Sequence, residues 1–177
     1  MKLDNQTGIV TGAAKGMGSA ICRALAKEGA RLTLAARDIN PLEDLAKHLQ
    51  EEGHQARTQS TDVTRETEVK AMVDDTLKAF NGRIDFLVNV AGVTGPIETP
   101  VWEIEHDDYL AVITANIVGT FLPIKHVMPV MIEQRSGRIV NIGGTSGLRG
   151  YRYRTAYSSS KWAIRGLTRT VALEAGP

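Results

Sequence analysis

The sequence predicts an α/β protein in which helices cover both faces of a doubly wound parallel sheet. Two observations support this fold class. Short apolar runs alternate with amphipathic stretches along the chain of 177 residues, and glycine-rich or polar turns follow the runs. Strands separated by helices require right-handed crossovers, which place a parallel sheet between two helical layers. The sequence contains no repeat, low-complexity segment or linker, so residues 1–177 are predicted to form a single domain.

The first three pairs of strand and helix are predicted within residues 8–80. Apolar runs predict the strands at 8–10 and 31–35, and a further strand is predicted at 55–61. Apolar side chains at helical spacing predict the helices, at 19–27, 42–52 and 66–80. Gly29 and Gly53 follow the first two helices, and Pro41 stands at the start of the second, as is typical of helix ends.

Two more pairs complete the order βαβαβαβαβα. Their strands are predicted at 84–88 and 138–142, and their helices at 107–133, with a kink, and 156–174. In an open parallel sheet, ligands bind beyond the carboxyl ends of the strands. We therefore expect the functional residues to follow directly after the strands.

Composition and charge exclude several classes of protein. A net charge of +1 provides no field for nucleic acid or an anionic membrane. One cysteine, Cys22, rules out a disulfide framework and is predicted to be an inert part of a helix core. The first residues show no apolar signal segment, and the longest apolar stretch, 109–124, is too short and polar for a bilayer. We expect a cytoplasmic protein with no nucleic-acid or membrane partner.

A glycine-rich turn follows the first strand. Gly12, Gly16 and Gly18 have the spacing GxxxGxG, which lets the backbone approach a pyrophosphate at the start of a helix. The Lys-Ser/Thr pair of a P-loop does not follow, which disfavours nucleoside triphosphate hydrolysis. From the turn alone, a dinucleotide site and a purely structural turn both stay open.

Charged residues follow the second and third strands. Arg37 and Asp38 stand where the adenosine ribose of a dinucleotide is expected, and Lys15 adds a cation from the glycine turn. An acid there would bind a 2′-hydroxyl and an arginine a 2′-phosphate, whereas the alternative is that both cations are solvated surface residues. Asp62 with Val63 suits contact with an adenine edge, although a lone aspartate more often caps a helix.

A turn of small residues and a tyrosine–lysine pair follow the last two strands. The turn at 89–92 allows close passage of a cofactor, but a plain turn would look similar. Tyr157 and Lys161 are four residues apart and therefore share a helix face. An ammonium group about 4 Å from a phenol favours the phenolate by about 4 kcal/mol at an effective dielectric near 20, enough for acid–base work. The alternative is a surface tyrosine beside a solvated lysine.

In this order, the motifs resemble the classical branch of the short-chain dehydrogenase/reductase family, which has a Rossmann-type fold. Three motifs carry the resemblance: Thr11-Gly12-x-x-x-Gly16-x-Gly18 matches the cofactor motif, Asn89-Val90-Ala91-Gly92 the Asn-Asn-Ala-Gly motif, and Tyr157-x-x-x-Lys161 the catalytic pair. Asn116, a poor helix former inside a predicted helix, matches a further catalytic residue. The resemblance runs over the entire chain.

The resemblance implies hydride transfer between a nicotinamide and a carbonyl or alcohol carbon, as in 3-oxoacyl-carrier-protein reductases. Tyr157 would give the proton, Lys161 would favour the phenolate and hold the nicotinamide ribose, and Asn116 would keep a water in the relay. The implied cofactor-binding residues are Gly12, Lys15, Gly16, Met17, Gly18, Arg37, Asp62, Val63, Asn89, Ala91, Gly92, Tyr157 and Lys161. The scattered histidines predict no metal site.

The resemblance also bears on cofactor choice and assembly. The acidic position that selects NAD falls on Ala36 in the family register, and Arg37 and Lys15 stand beside it. We therefore expect NADP(H) to be favoured, with NAD(H) as the alternative. Similar proteins pair through their late helices, so 107–133 and 156–174 predict a homodimer or homotetramer that acts on a small-molecule carbonyl or alcohol.

Two departures from the family pattern support a second function. Gly144 replaces the serine that orients the substrate, so Ser146 is assigned to substrate binding, with Thr145 as a neighbour, and Gly144→Ser is expected to raise turnover. Similar proteins continue past Pro177 with two more strands and a substrate-covering segment, which leaves the fifth strand here as a predicted sheet edge. The alternative function is a catalytically weak dinucleotide-binding homologue that serves as a sensor or an oligomer subunit.

Aromatic residues in the second half carry two further expectations. Trp102 and Trp162 are predicted to be packing anchors. The run Tyr151-Arg152-Tyr153-Arg154 suits either an anionic substrate or a solvated loop. The sequence alone favours the solvated loop, because surface charges are common.

Overall fold

The computed structural model describes residues 1–176 and contains one parallel sheet of five strands. The strands are β1 (Thr7–Thr11), β2 (Arg31–Ala36), β3 (Ala56–Ser60), β4 (Phe86–Asn89) and β5 (Arg138–Asn141). Their order across the sheet is β3-β2-β1-β4-β5, and all neighbours are parallel. The predicted α/β class with a Rossmann-type, doubly wound sheet is confirmed.

Helices connect the strands and follow the last one. They are α1 (Gly16–Lys27), α2 (Asn40–Glu51), α3 (Glu66–Ala79), α4 (His106–Ile113), α5 (Gly119–Gln134) and α6 (Thr155–Ala175). A π-helical turn, Thr114–Val118, joins α4 to α5, and 3-10 turns lie at Val101–Glu103 and Thr145–Gly147. Helices thus cover both faces of the sheet.

The sheet changes its direction of growth beside β1. From β1 the chain adds β2 and β3 on one side, and it then returns to add β4 and β5 on the other. Thr11 at the end of β1 is in register with Asn89 at the end of β4. A crevice opens at such a switch point, because the connections leave the two strands in opposite directions.

Two apolar layers, one on each face of the sheet, hold the helices in place. Val10 packs with Leu34 and Leu42 in the layer beneath α1 and α2, whereas its neighbour Ile9 packs with Val127 in the layer beneath α3 and α5. All five side chains are fully buried. Each such burial contributes about 1.5–3 kcal/mol to folding. Because β1 is buried on both faces, its sequence is continuously apolar at the centre.

The ends of the elements differ from the predicted ends by no more than three residues. The largest difference is at α1, which begins at Gly16 because the glycine turn already supplies the first residues of the helix. The predicted kink in the long helix is the π turn, in which one extra residue is accommodated between two α-helical segments. The two 3-10 turns are too short to produce a periodic signal.

Of three side chains predicted to be buried, the structure buries one. Cys22 has no exposed surface, as predicted. Trp102 is 79% exposed and Trp162 is 46% exposed, so their predicted packing role is wrong. Trp102 belongs to a 3-10 turn outside both apolar layers, and Trp162 lies on the outer side of α6. An apolar residue type does not reveal which side of its element faces the core.

The helical run from His106 to Gln134 is long and apolar enough to cross a membrane by length and composition alone. It extends well beyond the apolar stretch 109–124 on which the sequence-based expectation rests. In the fold, Leu122, Val127 and Met131 of this run are buried in the layer shared with α3. The run is therefore the core helix of the domain in this structure.

β5 forms one edge of the sheet, as predicted, and β3 forms the other. A depression of about 800 Å³ borders β5 between α5 and α6, and its apolar lining includes Met128, Ile132 and Val171. On the strand itself, Val140 is 50% exposed.

Candidate active site

A cleft of about 820 Å³ lies at the switch point, over the carboxyl ends of β1 to β4 and against α4. It is large enough for an extended ligand, because typical ligand sites measure about 300–1,000 Å³. Its lining includes nine of the predicted cofactor-binding residues: Gly12, Lys15, Met17, Gly18, Arg37, Asp62, Val63, Ala91 and Gly92. Ala36 and Asp38 also line it.

Two glycines of the first turn are required by close backbone contacts. Gly12 has φ +65°, and a Cβ there would come within 2.7 Å of the Ala91 nitrogen. A Cβ on Gly18 would lie 2.1 Å from the Gly12 oxygen. Gly16 begins α1 with φ +54° and open space around it. The turn therefore folds only with glycine at these contacts, which agrees with its predicted role of bringing backbone close to a ligand.

The start of α1 is open to an anion. Lys15 takes the N-cap position in an extended conformation, and no side chain caps the first turn. Thr11 holds the neighbouring turn in place, because its hydroxyl accepts hydrogen bonds from the Val90 nitrogen (3.2 Å) and the Ala91 nitrogen (3.3 Å). Free N–H groups at the start of a twelve-residue helix suit a phosphate.

Asp62 is anchored on the cleft wall by a local turn. Its Oδ1 accepts hydrogen bonds from the Thr64 nitrogen (2.9 Å) and the Thr64 hydroxyl (2.7 Å). Partial burial opposes ionisation, but these bonds and the cations Arg37 and Arg65 hold the pKa of Asp62 below its ordinary value. Arg65, and not Asp62, takes the N-cap position of α3. Asp62 thus stabilises the turn before the helix and presents a carboxylate to the cleft.

Asn89 lies behind the cleft wall, in a chain of hydrogen bonds that joins β4, β5 and α6. Its Nδ2 donates to Asn141 Oδ1 (2.9 Å), and Asn141 Nδ2 donates to Thr168 Oγ1 (2.9 Å). The Asn89 carbonyl accepts a bond from the Ile142 nitrogen (3.1 Å). Asn89 Oδ1 is buried without a partner among the described residues. Direct contact of Asn89 with a cofactor stays a prediction.

Tyr157 and Lys161 come together in the first turns of α6. Lys161 Nζ donates to the Ile142 carbonyl (2.7 Å) and lies 5.4 Å from the centre of the Tyr157 ring. Only 6% of Lys161 is exposed, and this burial lowers the pKa of its ammonium group. The end of β5 therefore holds the cation against the tyrosine, as the helical spacing predicts.

Asn116 is fully buried in the π turn and connects the cleft to α6. Its Oδ1 accepts from the Val93 nitrogen (2.8 Å), and its Nδ2 donates to the Val93 carbonyl and the Ser160 hydroxyl (both 2.9 Å). Ser160 Oγ donates in turn to the Tyr157 carbonyl (2.7 Å). Thr120 Oγ1, four residues along the helix, donates to the Asn116 carbonyl (2.7 Å).

Ser160 and Thr11 have structural roles that sequence reasoning does not assign. Ser160 stands in a run of three serines, so the sequence does not separate it from Ser159. The structure does, because Ser160 is buried and Ser159 is partly exposed. Thr11 belongs to the matched cofactor motif, but its link to the turn after β4 depends on strand order. The sequence contains no separate signal for either contact.

The loop after β5 differs from the expectation at Gly144. This residue has φ +110° and ψ 167°, a conformation that is essentially confined to glycine. A serine there would be strained, which counts against the simple expectation that Gly144→Ser raises turnover. Ser146, assigned to substrate binding, lies half-buried in the 3-10 turn that follows. Gly147 brings this turn against α6, since a Cβ there would be 2.7 Å from the Lys161 carbonyl.

Three or more His, Cys, Asp or Glu side chains do not gather into a metal-binding group anywhere in residues 1–176. The predicted lack of a metal site stays a prediction.

A glycine-lined crevice at the switch point of a parallel sheet, with a tyrosine and a lysine on the next helix, defines a class of Rossmann-type oxidoreductases. The chain belongs to the short-chain dehydrogenase/reductase family, because residues 6–177 match the sequence profile described as short chain dehydrogenase. The membership of this family that the sequence motifs predict is therefore confirmed.

Three relatives illustrate the similarity. The chain is 38% identical over 172 residues to the uncharacterized oxidoreductase YxjF of Bacillus subtilis (strain 168), which covers 97% of this chain and 66% of the relative. It is similar to the structure of an NAD+-bound xylitol dehydrogenase, with 38% identity and a TM-score of 0.96, covering 100% of this chain and 67% of that one. It is also similar to the structure of an actinorhodin polyketide ketoreductase with NADPH, with 35% identity and a TM-score of 0.91, covering 96% of this chain and 65% of that one. The chain thus spans about two thirds of the length of these relatives.

Proposed function

We propose that the protein is an NADP(H)-dependent oxidoreductase of the cytoplasm that transfers a hydride between the cofactor and a carbonyl or alcohol substrate. The observation that carries the proposal is the group formed by Asn116, Ser160, Tyr157 and Lys161. Hydrogen bonds link Asn116 to Ser160 and Ser160 to the Tyr157 carbonyl, and the Lys161 ammonium group lies over the Tyr157 ring. This group adjoins the cleft, because Val93, the partner of Asn116, lines it. A proton donor, a cation and a dinucleotide-sized space are the parts that such a reaction needs.

The residues of the cleft fit a nicotinamide dinucleotide. The open start of α1 and the backbone of Gly12 and Gly18 suit the pyrophosphate. Asp62 and Val63 suit the adenine end, and Ala91 and Gly92 suit the passage towards Tyr157. The relatives support this class of cofactor, since one binds NAD+ and another NADPH.

The bound cofactor would supply or accept the hydride, and the side chains of α6 would handle the proton. The Tyr157 hydroxyl donates its proton to the substrate oxygen as negative charge develops there. The Lys161 ammonium group then stabilises the phenolate, and the Ile142 carbonyl keeps this ammonium group in position. Asn116 has both amide protons engaged, so it contributes by fixing Val93 and Ser160, and one oxygen lone pair is left for a relay water.

Charge on the cleft wall supports a preference for NADP(H). Arg37 and Lys15 line the cleft, and Ala36 puts a methyl group at the position where an acid would select NAD. Asp38 is the other group there, and it would favour the 2′-hydroxyl of NAD instead. We expect the two cations to outweigh the one carboxylate and to favour NADP(H), because a 2′-phosphate carries more charge than a 2′-hydroxyl.

The test is a calorimetric titration of the protein with NADPH and, separately, with NADH. One charge-assisted phosphate contact is worth about 1.5–3 kcal/mol, so NADPH is expected to bind at least about tenfold more tightly. Arg37→Gln should remove most of the difference and Ala36→Asp should reverse it. Arg23→Gln, an exposed residue of α1 outside the cleft lining, is the matched control. Equal affinities for both cofactors would contradict the preference.

The glycine at position 144 favours a second candidate function. In it, the protein is a dinucleotide-binding homologue with weak catalysis that serves as a sensor or an oligomer subunit. The loop after β5 lacks the expected serine and has a backbone that suits glycine. NADPH oxidation with a panel of ketones separates the two candidates. Tight cofactor binding without turnover on any ketone would favour the second.

A further inference from the structure

One segment of the chain carries only positive charge. Between Glu133 and Glu174 there is no aspartate or glutamate, and there are eight cations: Arg135, Arg138, Arg149, Arg152, Arg154, Lys161, Arg165 and Arg169. Since the whole chain has a net charge of +1, the remaining residues carry a net charge of −7. Charge is therefore strongly divided along the sequence, which the overall net charge of +1 conceals.

Three of these arginines lie on the loop between β5 and α6. The loop starts at the carboxyl end of β5, which is the ligand side of a parallel sheet. It begins beside Ile142, whose carbonyl holds Lys161, and it ends at Thr155, two residues before Tyr157. The arginines Arg149, Arg152 and Arg154 are thus carried by the segment that joins the two parts of the candidate catalytic group.

Aromatic side chains of the same loop order two of the guanidinium groups. Arg149 Nε donates to the Tyr151 hydroxyl (2.9 Å), and its guanidinium carbon lies 4.9 Å from the centre of that ring. Arg152 lies 4.6 Å from the centre of the Tyr153 ring. Hydrogen bonds from Thr145 and then Arg149 lower the pKa of Tyr151. Stacking of this kind holds a guanidinium group while its outer N–H donors stay free.

None of the three arginines is paired with a carboxylate. The ion pairs found in residues 1–176 all lie elsewhere, and they join His54, Arg65, Lys78, Arg83, Lys125 and His126 to acids. Arginines that are held by ring contacts but not neutralised, as Arg149 and Arg152 are, suit carboxylate and phosphate, because the planar guanidinium fork gives two parallel hydrogen bonds.

We propose that Arg149, Arg152 and Arg154 bind an anionic group of the substrate, so that the preferred substrates are carbonyl or alcohol compounds that bear a carboxylate or a phosphate. This inference rests on the proposed oxidoreductase function and narrows its substrate class. Of the two interpretations of the run 151–154, it takes up the anionic substrate.

The test compares matched pairs of substrates with the purified protein and both cofactors. Acetoacetate is compared with methyl acetoacetate, and dihydroxyacetone phosphate with dihydroxyacetone, so that the two pairs separate carboxylate from phosphate. We expect at least one anionic member to have a kcat/KM about tenfold or more above its neutral partner. Raising the salt from about 0.05 M to 0.5 M should reduce that ratio, because exposed charges are screened.

Variants identify the residues. Replacing Arg149, Arg152 and Arg154 together by glutamine should raise KM for the anionic substrate about tenfold or more and leave the neutral one unchanged. Arg165→Gln, an exposed residue farther along α6 that stacks on Trp162, removes the same charge from the same acid-free segment and should change neither. Neutral substrates that match the anionic ones, or a triple variant that keeps the ratio, would overturn the inference.

A calorimetric titration keeps the inference separate from the proposed function. If no ketone is turned over although NADPH binds, the oxidoreductase proposal fails. Acetoacetate and dihydroxyacetone phosphate are then titrated into the cofactor-bound protein. Saturable binding that the triple variant loses and Arg165→Gln keeps would support the anion site on its own. No binding of either compound would overturn it.

Discussion

At the scale of single residues, substitutions of Tyr157 and Lys161 are expected to have different effects on turnover and on cofactor affinity. Tyr157→Phe removes only the hydroxyl whose proton would be transferred, since the ring contact with Lys161 is retained. We expect turnover to fall about 10²–10⁴-fold, the usual contribution of a general acid, while cofactor affinity is unchanged. Stopped-flow NADPH oxidation and a cofactor titration measure both quantities. Undiminished reduction by this variant would eliminate the proposed proton donor.

Lys161→Ala is the contrasting variant. It removes the cation and leaves the Ile142 carbonyl without its donor. We expect both turnover and cofactor affinity to fall, because this residue is proposed to hold the nicotinamide ribose as well. If cofactor affinity were unaltered, Lys161 would act on the tyrosine alone.

The backbone of Gly144 leads to a second prediction. At φ +110° any side chain is strained, by about 1–3 kcal/mol, so Gly144→Ala and Gly144→Ser should both lower the thermal midpoint. For a domain of this size, about 1 kcal/mol corresponds to roughly 2–4 °C. The alanine variant serves as the control for strain. We expect the serine variant to exceed it in turnover, and equal rates would show that a hydroxyl at this position has no role.

The sequence identifies some site residues and not others, for a physical reason. Tyr157 and Lys161 are recognisable because a spacing of four on a helix fixes their common face before any tertiary contact is known. The buried bond from Asn116 to Ser160 is different, because it joins two helices through a π turn. No periodicity encodes such a contact. Asn116 itself is identified only through the family resemblance.

At the scale of elements, the end of β5 is held by side chains from its neighbours. Asn141 on β5 bonds Asn89 on β4 and Thr168 on α6, and Ile142 next to it accepts the Lys161 hydrogen bond. A displacement of this strand end would therefore move the cation that faces Tyr157. The chain of hydrogen bonds links the stability of the sheet to the position of the candidate catalytic group.

Thr168→Val tests this link with little change in shape. The Asn141 amide would lose its acceptor, which should lower the free energy of unfolding by about 1–3 kcal/mol. We expect kcat to fall with it while the KM for NADPH is retained, because the cleft lining does not include Thr168. Thr168→Ser keeps the hydroxyl and should restore both values. Urea denaturation with steady-state kinetics provides the measurement, and a valine variant with unchanged kcat would contradict the link.

The elements themselves are largely predictable from the sequence. Strand order is not visible in the sequence, but alternation of strand and helix leaves few topologies, and the glycine turn favours the one observed. What periodicity misses are the short or irregular pieces, such as Val101–Glu103 and the π turn at Thr114–Val118. They depend on contacts with distant residues rather than on a repeating apolar pattern.

At the scale of the molecule, apolar side chains on the late helices divide between the core and the surface. Val112 and Val127 are buried, whereas Phe121, Ile132 and Trp162 are between 43% and 60% exposed. Exposed apolar residues concentrated on neighbouring helices favour association with a second copy. We therefore expect a homodimer or homotetramer through α4, α5 and α6.

Light scattering at micromolar concentration measures the assembly. Phe121→Glu together with Trp162→Glu should convert the oligomer to a smaller species, because each introduces a charge into the proposed contact. Lys47→Glu, on the exposed face of α2 across the sheet, should leave the mass unchanged. A wild-type protein that is monomeric under these conditions would refute the prediction.

The burial of Cys22 makes the rate of its modification by a thiol reagent a measure of local opening. Cys22 is the single cysteine of the chain, it lies on the buried face of α1 without exposed surface, and desolvation raises its pKa to about 12. At pH 8 only about one thiol in ten thousand would be ionised, so a thiol reagent reacts only when α1 lifts from the sheet. Because α1 starts in the glycine turn, a bound dinucleotide should slow the labelling. The rate of thiol modification would thus report how often the candidate cofactor cleft opens, with no substrate needed.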